Sequence, residues 1–270
     1  MNIMPEPFPT DHTFAVCAYK DSPYLEKCLS SVVSQIKKSN VIMCTPTPTD
    51  KIKALAEKYD VPLFINPDGN ADMQGSWNFA VSKADTSYVT VCHQDDYYSE
   101  GYFAAIENFL TDDLLFLHTA YTTAYTDSDG NTEIKKSKNI IFKRIIHAVF
   151  ANRWQQDKIF FKRWDLRFGN SVCCPTCTYS KKNLEQPIFT SQLKHGVDWD
   201  LYISLASRKG RIAYIKKPVA FKRIHLEAQT NQDVASGVRA REDIELYSRL
   251  WPKPFAKVMQ KILIHFYNAG

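Results

Sequence analysis

No hydrophobic run in the sequence approaches the roughly 18 apolar residues a bilayer-crossing helix needs, so a soluble protein is expected. Nor does the N-terminus read as a leader: Met1–Asp11 holds three prolines and two acids but no apolar core. Basic blocks are missing as well. The formal net charge is only +5, with 34 Lys and Arg dispersed along the chain, which argues against nucleic acid as a partner. Cysteines are too scattered and odd in number (seven) for a disulfide scaffold in 270 residues, and a reducing cytoplasmic setting fits them better. Internal repeats and low-complexity segments are also absent.

What is present is ordinary globular material, 44% hydrophobic and 23% charged, enough for one large domain or a domain with an appendage. The first half alternates short apolar runs with helical patterns. Strands are predicted at Thr13–Ala18, Val41–Cys44, Val61–Ile65 and Ser87–Cys92. Helices are predicted from Pro23, over Asp50–Tyr59 and over Trp77–Ala84. This order predicts an α/β fold, a mostly parallel central sheet with helices on both faces. Ligands of such sheets bind beyond the strands' carboxyl ends, which brings Tyr19–Asp21, Thr45–Thr47 and His93–Asp96 to one edge.

The second half is less regular. Strands are expected at Leu114–Leu117, Arg211–Ile215 and Val219–Arg223, a turn at Asp127–Asn131 into which Tyr121–Tyr125 runs, and helices over Asn139–Asn152, Asp198–Arg208 and from Val238 onward. Gly210 stands where a C-terminal cap belongs. Trp154–Asn170, aromatic and basic, gives no clear assignment.

Asp95-Asp96 closes the fourth strand. Carboxylates at that point are placed to hold a divalent cation that bridges a diphosphate, or to cap the next helix together with Ser99 and Glu100. Asp198 lies in a first helical turn, where the helix dipole favours its charged form and where it can also act as a cap. His225 reads as a satisfied histidine or a ligand. Cys174-Pro175-Thr176-Cys177 has metal or redox spacing but no second ligand pair in the sequence, which favours a packed loop. The last helix aligns Phe255, Val258, Met259, Ile262, Leu263 and Phe266 on one face, a pattern that serves docking on the domain or contact with a membrane surface.

Four stretches together resemble family 2 glycosyltransferases, which have the GT-A fold: FAVCAYKDSPYLEKCLSSVVSQ, NFAVSKADTSYVTVCHQDDYY, YTDSDGN and VDWDLYISLASRKGRIAYIKKPVAFKRIHLEAQT. They span Phe14 to Thr230, and their order and spacing carry the resemblance. It implies that residues 1–230 form a GT-A transferase domain and 231–270 a C-terminal helical extension. It assigns Tyr19, Asp21, Thr45, His93, Asp95 and Asp96 to the nucleotide-sugar, with Asp95 as the metal- and diphosphate-binding carboxylate. His225 falls where some relatives place a residue near the diphosphate or the metal, and Asp198 takes the place of the general base.

There are departures. His93 replaces the usual leading acid of the metal motif, Thr45-Pro46 replaces an acidic pair, and Trp77-Asn78 replaces an Arg-Asn pair. These mark a sub-branch with HQDD at the metal motif.

The implied activity is inverting transfer from a nucleotide-diphosphate sugar, with Mn²⁺ or Mg²⁺, to a hydroxyl of a saccharide or lipid-linked acceptor. The expected setting is bacterial surface polysaccharide or glycolipid synthesis, in the cytoplasm or peripherally at the membrane's inner face through the C-terminal helix. A non-catalytic nucleotide- or sugar-binding module is one alternative. A nucleotidyltransferase that makes sugar nucleotides is another, but it wants a glycine-rich phosphate loop and Ala18–Asp21 has no glycine.

Overall fold

In a computed structural model the described residues are 10–127, 129–135, 138–148, 152–225 and 238–268. The predicted alternation appears in the first half. Strands β1 (His12–Cys17), β2 (Asn40–Thr45), β3 (Leu63–Ile65) and β4 (Tyr88–His93) alternate with helices α1 (Leu25–Val33), α2 (Asp50–Lys58) and α3 (Met73–Lys83). Their strands pair in parallel in the order β3-β2-β1-β4. Phe14, Ala15, Val16, Val89 and Val91 are fully buried, because helices cover both faces of this part of the sheet. Pro23 lies just upstream of α1, which begins at Leu25. Thr49 caps α2 by accepting from the Ile52 amide.

Beyond β4 the sheet becomes mixed. A short strand β5 (Tyr97–Tyr98) leads to α4 (Tyr102–Ile106), then β6 (Leu114–Thr126) and β7 (Thr132–Lys135), which pair antiparallel across the expected turn. Ser128 of that turn lies outside the described residues. Helices α5 (Lys138–His147) and α6 (Ile159–Leu166) precede β8 (Cys177–Ser180), which runs antiparallel between β4 and β6. The helix expected over Asn139–Asn152 is thus shorter, with 149–151 outside the described residues. Helix α7 (Val197–Ala206) precedes β9 (Arg211–Ile224), and α8 (Val238–Leu250) and α9 (Lys253–Asn268) follow.

Two pairs of sequence segments are continuous. Leu114–Leu117 and Tyr121–Tyr125 belong to β6, while Arg211–Ile215 and Val219–Arg223 belong to β9, and the two long strands pair in parallel. Pro218 interrupts β9 only locally. It lies opposite Ala120 where the register shifts, a position at which proline's missing N–H costs no regular ladder bond. Gly210, at φ +112°, turns the chain into β9, and a Cβ there would lie 2.7 Å from the Leu115 side chain.

The C-terminal helices share the main core. Leu246, Tyr247, Leu250, Ala256 and Leu263 pack with Trp199, Tyr202 and Phe116. Helix α9 docks through Ala256, Gln260 and Leu263, whereas Phe255, Val258 and Ile262 of the expected apolar stripe face solvent. The Phe266 side chain is outside the described residues.

Candidate active site

The three loops after β1, β2 and β4 meet as the topology requires. Gln94 clamps the first to the third: its Oε1 accepts from the Tyr19 amide (2.8 Å) and its Nε2 donates to the Tyr19 carbonyl (3.1 Å). Lys20 adopts a left-handed φ of 52°, and its amide donates to Thr47 Oγ1 at 2.7 Å. Thr49, the cap of α2, donates to Asp21 Oδ1 at 2.6 Å, so Asp21 ties the first loop to the second. Thr45 is fully buried, and its hydroxyl accepts from the Thr47 amide at 3.0 Å. Tyr19, with 46% of its surface exposed, is open together with its neighbours Lys20 and Asp21.

Neighbouring Asp95 and Asp96 have opposite surroundings. Asp96 is buried and accepts from the Arg223 amide at 2.7 Å, and burial pushes its carboxyl up to about 7. Asp95 stays 36% exposed at its side chain, with Oδ2 3.4 Å from His225 Nε2. Strand β9 brings that histidine in. It also supplies Arg223, whose Nε donates to the Asp95 carbonyl (2.9 Å) and whose guanidinium lies 4.5 Å from the Tyr24 ring. The same guanidinium donates to Thr126 and Thr132 of the β6–β7 hairpin.

His93 stacks on Trp77 with centroids 4.9 Å apart and an interplanar angle of 11°. Burial lowers its pKa to about 4, so the ring is neutral near pH 7. Its Nε2 has no hydrogen-bond partner among the described residues, and its Nδ1 lies 4.0 Å from Asp96 Oδ2. Two of the three departures from the family pattern, His93 and Trp77, therefore touch each other.

Asp198 stands in the first turn of α7, as expected. Its Oδ2 accepts from Asn170 Nδ2 (2.9 Å) and its Oδ1 from the Trp199 amide (2.8 Å). Burial raises its pKa above the usual carboxylate range. Asp200 in the same turn is spent elsewhere, on Ser191 Oγ at 2.5 Å and on Arg249.

The helix has no side-chain cap of its own, because its cap residue is Gly196, where a Cβ would lie 2.5 Å from Leu246. A carboxylate from α8 substitutes. Glu242 accepts from the Lys194, His195 and Gly196 amides at 2.9, 2.7 and 3.0 Å, the charge-assisted equivalent of a cap.

Burial dominates the shifts of His93, Asp96 and Asp198, and Lys222 makes a smaller electrostatic contribution to each. Its ammonium is thus within electrostatic reach of both carboxylate stations. Lys222, Arg223, Asn170 and Glu242 were not singled out from the sequence. The first two adjoin the Ile224-His225 pair, and their place on the long strand is the signal that identifies them. Glu242 leaves only an indirect trace, a helix start at Gly196 without a capping side chain.

The model of the glycosyl transferase family 2 matches residues 13–186, which takes in β1 through β8 and the Asp95 loop and stops before Asp198 and His225. No curated protein matches the chain by sequence. Several solved structures share its fold. S. aureus TarS 1–349 superposes with a TM-score of 0.59 at 14% identity, covering 95% of this chain and 71% of that one. The mannosyltransferase PcManGT from Pyrobaculum calidifontis, solved with GDP-Man and Mn²⁺, gives 0.61 at 11% identity, covering 96% and 76%. Glucosyl-3-phosphoglycerate synthase from Mycobacterium tuberculosis, solved with Mn²⁺, UDP and glucosyl-3-phosphoglycerate, gives 0.57 at 12% identity, covering 88% and 79%. The family match extends over more than half of the 270 residues, and on that ground the chain belongs to glycosyl transferase family 2 and is a glycosyltransferase.

Proposed function

We propose that the chain transfers a sugar from a nucleotide-diphosphate sugar to an acceptor hydroxyl with inversion at the anomeric carbon. The observation that carries this reading is the contrast between two carboxylates. Asp95 is partly exposed and faces an imidazole, while Asp198 is fixed by Asn170 and raised by burial.

Asp95 and His225 would hold the divalent cation, and their contact across 3.4 Å fits that use. A carboxylate with an imidazole suits Mn²⁺ better than Mg²⁺, which prefers oxygen ligands and water. When bound, the cation supplies positive charge against the donor diphosphate. Lys222, within electrostatic reach of Asp96 and Asp198, adds a second positive charge to the site. Tyr19 offers an open aromatic face to the nucleotide base, with Asp21 and Thr45 holding its loop in shape. His93 and Asp96 support the loop from beneath.

At the acceptor side Asp198 takes the hydroxyl proton as the oxygen attacks the anomeric carbon. The bond from that carbon to the diphosphate oxygen breaks, and its electron pair leaves with the nucleoside diphosphate. A carboxylate with a raised pKa holds the transferred proton better than an ordinary one.

We read residues 1–230 as the transferase domain and 231–270 as its helical extension. No described helix is long and apolar enough to cross a membrane. Exposed Phe255, Val258 and Ile262 beside Lys257 and Lys261 support peripheral contact with an anionic bilayer and a lipid-linked or saccharide acceptor. Cytoplasmic assembly of a bacterial surface polysaccharide or glycolipid is the setting we propose.

The test is a screen of UDP- and GDP-sugars for Mn²⁺-dependent thermal stabilisation and transfer, with product configuration read by NMR. Asp95→Ala should lose the Mn²⁺ dependence, and His93→Asn should keep it. A product with retained configuration would overturn the inverting mechanism.

A further inference from the structure

Apart from the candidate active-site residues, three buried side chains converge from three elements: His118 of β6, His147 at the end of α5 and Asp165 of α6. Their ligand atoms all lie within 4.8 Å of one another. The hydrogen bonding around them leaves an unresolved contact. His147 Nε2 lies 3.2 Å from the Ser171 carbonyl, which can only accept, so this nitrogen carries the proton. In a neutral imidazole, Nδ1 is then a bare lone pair. That lone pair is 3.0 Å from Asp165 Oδ1, without the alignment of a hydrogen bond. His118 Nε2 is buried beside them and has no hydrogen-bond partner among the described residues. Three buried electron-pair donors gathered this closely are costly unless a positive charge lies among them.

We propose that His118, His147 and Asp165 form a structural metal site for a four-coordinate Zn²⁺-class ion, distinct from Asp95 and Asp198. Two imidazoles and one carboxylate are a ligand set such an ion favours over Mg²⁺ or Ca²⁺. Tetrahedral coordination at ~2.0–2.2 Å requires ligand atoms roughly 3.4 Å apart, and small side-chain movements bring this trio to that spacing. The Ser171 carbonyl fixes the tautomer of His147 in the way outer-shell acceptors orient ligating histidines. Tyr214 packs on both imidazoles, with centroids 5.0 and 4.6 Å away. An adjoining cavity of about 10 Å³, whose lining includes His118, His147, Ser171 and Cys173 as well as Lys143 and Arg144, has room for one water as the fourth ligand. So small a space disfavours a six-coordinate ion with several open positions. The ion would pin α5 and α6 to the central strand β6.

The test uses the full chain without an affinity tag. Zinc analysis after dialysis should find about one equivalent, retained in Asp95→Ala and lost in His147→Gln. Chelator-stripped protein should take up Co²⁺ with the visible bands of a tetrahedral site, and Zn²⁺ but not Mg²⁺ should restore the melting temperature. If His147→Gln does not fold, X-ray absorption at the zinc edge of the wild type decides. A nitrogen and oxygen shell with imidazole scattering supports the site, and a sulfur shell would move the metal to Cys173, Cys174 or Cys177 and overturn it. Wild-type protein that keeps no zinc and shows neither Co²⁺ bands nor stabilisation by Zn²⁺ would leave a protonated His147 paired with Asp165 instead.

Discussion

Among single residues, Asp198 separates the catalytic reading from a capping one. Asn is of similar size and caps nearly as well, but it accepts no proton. Asp198→Asn should therefore lower turnover by roughly a hundredfold or more, with donor affinity within a few-fold and an almost unchanged melting temperature. In the wild type the acid limb of kcat against pH should sit above the ordinary carboxylate range, since burial raises this group. Turnover near wild type in the Asn variant would remove Asp198 from the mechanism.

His12 gives a pH signal of the opposite kind. It is fully buried between Ser39 and Thr90, at 2.7 and 2.8 Å, and burial lowers its pKa to about 3. A histidine whose folded pKa is depressed contributes stability that is complete above its unfolded value of about 6.5 and is lost as pH falls towards 3. The loss is on the order of a few kcal/mol. Urea midpoints measured from pH 7 to pH 4 should fall more steeply for wild type than for His12→Asn. The variant starts lower, having lost packing and hydrogen bonds, and parallel curves would refute the linkage.

Among the elements, α7 owes its start to α8. Removing the charge of Glu242 weakens three amide contacts beside the proposed base without touching the donor loops. Glu242→Gln should lower kcat roughly tenfold, since small displacements of a positioned group are costly, and leave KM for the donor unchanged. A fall in melting temperature with full turnover would reduce Glu242 to a purely structural cap. The elements also show where sequence patterns carry information and where they fail. Helix α6 was hidden because Phe160 and Ile159 point to solvent while Lys162 and Asp165 are buried, which inverts the amphipathic pattern. The joins within β6 and β9 were hidden by polar His118 and Thr119 and by Pro218, which are accommodated by buried pairings and by a register shift. By contrast β1, β2 and β4 were legible because burial on both faces makes each a short, nearly continuous apolar run.

At the scale of the whole molecule, one sheet edge gathers the loops, and its position followed from strand alternation alone. The partners that complete the site did not, since Arg223 and His225 come from a strand more than a hundred residues away from Asp95. The α9 surface is a property of the whole molecule as well. Leu263 of its apolar stripe is buried and Met259 partly buried in docking, whereas Phe255, Val258 and Ile262 are exposed. Full-length protein should float with anionic liposomes, and Phe255→Ser with Ile262→Ser should abolish flotation while donor binding persists. Equal recovery of both proteins in the unbound fraction would leave α9 with its packing role alone.

The grip of Glu242 on the Lys194–Gly196 amides also bears on how this chain recombines with its relatives. A crossover near residue 230, the apparent seam in the sequence, would join one parent's acceptor helix to another parent's carboxylate, and only a register match between them would keep the first turn of α7 in place. Chimeras exchanged before Lys194 would carry α7, β9 and α8 as one cassette. With the proposed assignment, acceptor preference and the C-terminal helices should then be inherited together, while the proposed nucleotide loops of the first half exchange independently.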